Sequence, residues 1–188
     1  CADESLVVYA APNGSSTSTC TQASPCTIER AFSVSHNVRN IIKLAPGAYA
    51  ASLMVSNKTV RLIATGATIT SSTTNTITVS DSAKLTIEGG TIVNSSGAAL
   101  GAITAKSNNG VDVPELVLRD TSVQSTRIVA VYLVKATATI THSDLSNTQT
   151  SALTLTQGST ANVDRTTIFA DGYTLTSTDA SVLRLTNS

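Results

Sequence analysis

Leu116-Val117-Leu118-Arg119-Asp120-Thr121-Ser122-Val123 returns twice downstream, as Thr139-Ile140-Thr141-His142-Ser143-Asp144-Leu145 and as Asn162-Val163-Asp164-Arg165-Thr166-Thr167-Ile168. Each copy begins about 22 residues after the last. A second alternating apolar run follows each copy: Val131-Tyr132-Leu133-Val134, Leu153-Thr154-Leu155-Thr156, then Tyr173-Thr174-Leu175-Thr176. Short strand-like pieces repeating at that period, with no helix between them, predict an all-β solenoid. One unit cannot bury its apolar face alone, so stacked neighbours share a continuous core.

Composition agrees. The 188 residues fit one domain, and charged residues make up only 13% of them, with 12 Lys+Arg against 12 Asp+Glu. Roughly thirty residues are Thr, which suits a pleated, half-solvated strand surface. Aromatics stand at 3% and Trp is absent, so stacked Ile, Val, Leu and Ala must fill the interior. A neutral chain with few aromatics lacks the basic footprint and stacking platforms of nucleic-acid binders, and nucleic acid is not expected as a partner. No apolar run approaches the roughly 20 residues of a membrane-spanning helix.

Outward from the repeats, residues 41–188 read as the coils of one solenoid. Ile41-Ile42-Lys43-Leu44, Val60-Arg61-Leu62-Ile63 and Leu85-Thr86-Ile87 continue the alternation upstream. Lys106 to Pro114 departs from it and should bulge from a corner between coils. Residues 1–40 form a separate opening: a strand at Ser5–Ala10, a Gly/Ser/Thr loop, then a short helix. Thr27 is its expected N-cap, and Ile28, Ala31 and Phe32 fall on one face at i, i+3, i+4 spacing. Such a helix covers the apolar end of the first coil, which would otherwise expose core and backbone. Cys20 and Cys26 sit close together in the polar loop, where a disulfide would close it; two free thiols are the alternative reading. No His lies nearby to complete a zinc site, and neither a metal nor a cofactor is expected.

Three stretches carry a resemblance. Val8-Tyr9-Ala10-Ala11-Pro12-Asn13-Gly14, Ser24-Pro25-Cys26-Thr27-Ile28-Glu29-Arg30-Ala31 and Ile42-Lys43-Leu44-Ala45-Pro46-Gly47-Ala48-Tyr49 resemble the opening of right-handed parallel β-helix proteins of the pectin-lyase-like superfamily. The resemblance implies a right-handed parallel β-helix of about six to seven coils with an N-terminal capping helix. It implies no single activity, because that architecture hosts many. Cys1, followed by Ala2 and Asp3, looks like a bacterial lipoprotein after signal-peptide removal, with the thiol lipidated; an arbitrary boundary at Cys is the alternative. That resemblance implies an extracytoplasmic bacterial protein, secreted or anchored to the outer membrane, touching membrane only through the lipid on Cys1.

The catalytic strings of the superfamily do not occur. Its hydrolases carry neighbouring Asp residues, an HG and an RxK, and glycosidases need two carboxylates across the sugar. The acidic residues of the coils are single and scattered. Aligning the repeats puts Asp120, His142 and Arg165 in one column, about 4.8 Å apart from coil to coil. With Tyr132 they are the candidate ligand-binding residues, and a solvated charge ladder is the plainer account of the column. Thr154/Thr156 aligned with Thr174/Thr176 resembles the ice-binding arrays of some antifreeze proteins, but Tyr132 and Lys106 in that column break the lattice. Asn94 and Asn147 read as a turn-stabilising ladder. The last coil stops after one strand, which predicts either further coils past Ser188 or an end-on contact with another subunit. The expected function is therefore non-catalytic binding of a polysaccharide or cell-surface protein along a flat strand face. The alternative is a lyase or glycoside hydrolase acting on an acidic polysaccharide, in a groove beside 106–114 and Tyr132.

Overall fold

The computed structural model describes residues 3–188 and is an all-β parallel solenoid of about six turns. Cys1, the expected lipidation site, lies outside the described residues. Three parallel sheets run the length of the molecule. The long sheet has eight strands, from Val7–Ser15 and Ile41–Leu44 to Thr160–Asp164 and Val182–Thr186. A second sheet of six runs from Gly47–Ala50 to Thr167–Ala170, and a third of six from Leu53–Ser56 to Leu175–Ser177. Each of six full turns contributes one strand to each sheet, Val7–Ser15 and Val182–Thr186 add the two extra strands of the long sheet, and every pairing is parallel and one coil apart.

Register explains the core. Val8, Ile42, Leu62, Ile87, Leu118, Ile140, Val163 and Leu185 lie opposite one another in successive strands of the long sheet. Alternation sends them inward, and all are buried except Leu185 on the last strand, which has no coil beyond it and is exposed. Ile69, Ile92, Val123 and Leu145 do the same in the second sheet, and Ile77, Ile103, Val131 and Leu153 in the third. A slip of one residue would turn a whole column out to water, so the aliphatic pattern fixes the register.

The N-terminal end is closed as expected. Ile28–Val34 is helical, the Thr27 Oγ1 accepts from the Arg30 amide at 3.3 Å, and Ile28, Ala31 and Phe32 are buried. The Lys58 ammonium donates to the Phe32 carbonyl and to the Ser35 carbonyl and hydroxyl, placing a cation at the helix C-terminus. Cys20 and Cys26 are joined by a disulfide, and both are buried. The Arg39 guanidinium ties this loop to the first strand through the Cys20 and Val7 carbonyls. In the Ala45–Tyr49 turn, Gly47 has φ 138°, and a Cβ there would meet the Pro12 Cγ at 2.7 Å. The Tyr49 hydroxyl, buried beneath, donates to the Ala45 carbonyl at 2.7 Å.

Two sequence expectations are met and one is corrected. Residues 107–114 do leave the corner between Gly101–Lys106 and Glu115–Arg119, held by the Asn109 side chain and by Lys135 donating to the Gly110 carbonyl. Asn94 and Asn147 are fully buried, and their Oδ1 atoms accept turn amides of Ser96, Gln149 and Thr150. The Thr alignment slips, however. Thr154 stands opposite Thr176, and Thr174 precedes the strand. An alternating pattern looks the same after a shift of two, so the sequence could not register that coil. No helix among the described residues is long and apolar enough to cross a membrane.

Candidate functional site

From Glu115–Arg119 onward the chain leaves each strand of the long sheet through one residue in the left-handed region. Asp120, His142, Arg165 and Asn187 hold φ of 51°, 49°, 46° and 52°. Their shared column is thus the corner at which the chain changes direction. Asp120 N–H donates to the Thr141 carbonyl at 3.2 Å, His142 N–H to Asp164 at 3.1 Å, and Arg165 N–H to Thr186 at 3.0 Å. The three side chains are exposed. The Arg165 Nε turns to the adjacent Asp164 Oδ2 at 2.8 Å, not to His142. That guanidinium, with help from the Asn187 amide, holds the Asp164 carboxyl below the usual carboxylate range. Asp120 and His142 form no ion pair among the described residues. Tyr132 lies on the third sheet, in register between Thr104 and Thr154, so the fold separates it from the other three candidates.

A different group comes together on the outer face of the long sheet, at its first two coils. Tyr9 stands opposite Lys43, Lys43 opposite Ile63, and Ile41 opposite Arg61. Glu4 reaches the same place from the short turn Glu4–Leu6 that precedes the first strand. These residues and Val7 line a groove of about 320 Å³. Its floor is aliphatic, from Val7, Ile41 and Ile63. The Tyr9 ring forms a wall, and its hydroxyl donates to the Glu4 carboxylate at 2.9 Å. That contact pushes the phenol up from its ordinary value, because the carboxylate favours the protonated hydroxyl. Lys43 Nζ lies 5.9 Å from the centre of the same ring, within cation–π range.

Beside the groove the charges are organised in one chain. Glu88 accepts both Nε and Nη2 of Arg61, at 3.1 and 2.7 Å, and receives Arg119 Nη1 at 3.5 Å. Lys84 pairs with Glu115 at 2.8 Å one column away. The second and third sheets meet at another hollow, of about 400 Å³, which Ser52, Ser71, Ser72, Thr73 and Ser95 line with hydroxyls and no ionisable group. Its Ser52 and Ser71 hydroxyls bond one another at 3.0 Å. Among the described residues, no group of three His, Cys, Asp or Glu side chains is placed to hold a metal ion.

Sequence reasoning passed over Glu4, Tyr9, Lys43 and Arg61 because they come from three separate segments. The signal was present in one place. Val7-Val8-Tyr9-Ala10 aligns with Ile41-Ile42-Lys43-Leu44, and extending the coil period to the first strand would have put Tyr9 against Lys43. Comparison of the chain with family models, curated proteins and solved structures returned no match.

Proposed function

We propose that the protein is a non-catalytic, extracytoplasmic β-solenoid that binds a glycan on the outer face of its long sheet, in the groove of Tyr9, Lys43 and Arg61. One observation carries this reading. The groove sets an aromatic ring and an aliphatic floor beside a rim of Glu4, Lys43 and Arg61. Ring and floor match the apolar C–H face of a pyranose, and the rim offers donors and acceptors to its hydroxyls. The disulfide supports an oxidising compartment outside the cytoplasm. The Ala45–Tyr49 turn, with Gly47 against Pro12 and Tyr49 bonded beneath it, supports kinship with right-handed, pectin-lyase-like β-helices. Attachment of a bacterial protein through a lipid on Cys1 belongs to the same proposal.

Electrostatics favours binding over hydrolysis at the faces described. A general acid needs a raised carboxyl pKa. Asp164 moves the opposite way under Arg165. The test is a glycan array read with the parent protein, Tyr9→Ala and His142→Ala. The reading expects retention that Tyr9→Ala abolishes and His142→Ala leaves intact. Release of reducing or unsaturated sugar ends that disappears in His142→Ala would overturn it in favour of an enzyme.

A further inference from the structure

The cations of the long sheet's face are not equivalent. Arg61 presents a planar fork, the geometry that takes a carboxylate at two points. Both points are already filled by Glu88. Lys84 and Arg165 are likewise paired with Glu115 and Asp164. Lys43 and, at the far end of the sheet, Arg184 form no ion pair among the described residues, and the Lys43 Nζ stands 5.9 Å from the centre of the Tyr9 ring. Glu88 is also shared with Arg119, whereas Lys43 lies two coils from Glu88 in the same column, with Ile63 between them. The Glu4 carboxylate also lines the groove, where the Tyr9 hydroxyl holds it. Negative charge on a ligand is therefore repelled from the Glu4 side and drawn toward Lys43.

Resting on the glycan reading above, we infer that the groove takes a sugar carrying an ester-linked tetrahedral oxyanion, a sulfate or a phosphate, with the ester on Lys43. The ring then lies on Ile41 and Ile63 against Tyr9. An ammonium is a compact point charge with three donors and no planar preference. Its three donors match the free oxygens of a tetrahedral ester, whereas the fork that would single out a uronate carboxylate is occupied. The charge contribution is exposed and weakens with salt. The apolar contribution of Tyr9 and the isoleucines does not.

The experiment measures binding of oligosaccharides matched in backbone and bearing sulfate, phosphate, carboxylate or no charge, by calorimetry at low and high salt. The parent protein is compared with Lys43→Ala and Lys43→Arg. The expected order places sulfate and phosphate esters ahead of carboxylate, with neutral sugar weakest. Lys43→Ala should weaken the ester-bearing sugars about tenfold and leave the neutral one unchanged. Lys43→Arg, which restores an unoccupied fork, should raise the carboxylate relative to the esters. A carboxylate preference in the parent, or equal affinity for neutral sugar, overturns the inference while the glycan reading stands. Binding of none of the four overturns both. A difference between sulfate and phosphate identifies which ester is used.

Discussion

The amide of Thr121 donates to the Oγ of Ser143, one coil away, at 3.2 Å. Both residues are buried at the corner just past the left-handed position. The Ser143 amide bonds the Thr166 Oγ1 in the same way, and the Thr166 amide bonds the Ser188 Oγ. A line of hydroxyls thus satisfies the backbone donors that the corners withdraw from the sheets. Ser143→Ala removes one acceptor and strands the Thr121 amide, so it should cost about 1–3 kcal/mol. Ser143→Thr, which matches both neighbours in the column, should stay within about 0.5 kcal/mol of the parent. Denaturant midpoints decide between them, and equal losses for Ala and Thr would contradict the ladder.

His142 sits at φ 49°, where a Cβ is strained and a branched one more so. His142→Gly should hold or raise stability, and His142→Val should lower it by about 1–2 kcal/mol. If the imidazole were a ligand-binding group, both variants would lose glycan binding together. The corner account expects binding to be kept in each variant that remains folded, read on the same glycan array.

Closure of the short loop by Cys20 and Cys26 secures the cap. Replacing both by Ser should cost about 2 kcal/mol on the loop-entropy estimate. Because coils contact only their neighbours, the loss should stay local. Deuterium uptake should rise in Val7–Ser15 and Ile28–Val34 while Glu115–Arg119 and Thr137–Thr141 keep their protection. Uniform loss of protection along the molecule would argue against a separable cap.

Tyr49 gives a pH signature. Burial pushes its phenol up to about 12, with the Ala45 carbonyl as its partner. The folded value lies above that of an unfolded tyrosine, so this contribution is complete below about pH 10 and is lost as pH rises through about 12. In an alkaline titration followed by tyrosinate absorbance, Tyr49 should give a late step at about 12, together with unfolding. Tyr49→Phe should remove that late step. A late step persisting in the variant would contradict the assignment.

The solenoid was legible because Leu118, Ile140 and Val163 repeat at one spacing and alternate with polar neighbours, and pairing carries that alternation straight into a core. The capping helix was legible from Thr27 and the spacing of Ile28, Ala31 and Phe32. The meaning of the Asp120–His142–Arg165 column was not. Sequence shows residue types with ionisable side chains, whereas what they share is a backbone angle that Arg rarely announces. The Tyr9 groove stayed hidden for another reason. Its residues are joined by pairing of the first strand with the first coil, across a loop and a helix that carry no period.

Amide chemical-shift mapping during titration with the best-retained glycan tests the central claim most directly. The account predicts shifts clustered at Val7–Tyr9, Ile41–Lys43 and Arg61–Ile63, with the corner column of Asp120, His142 and Arg165 unmoved. Shifts centred on that column or on Tyr132, with the Tyr9 groove silent, would contradict it.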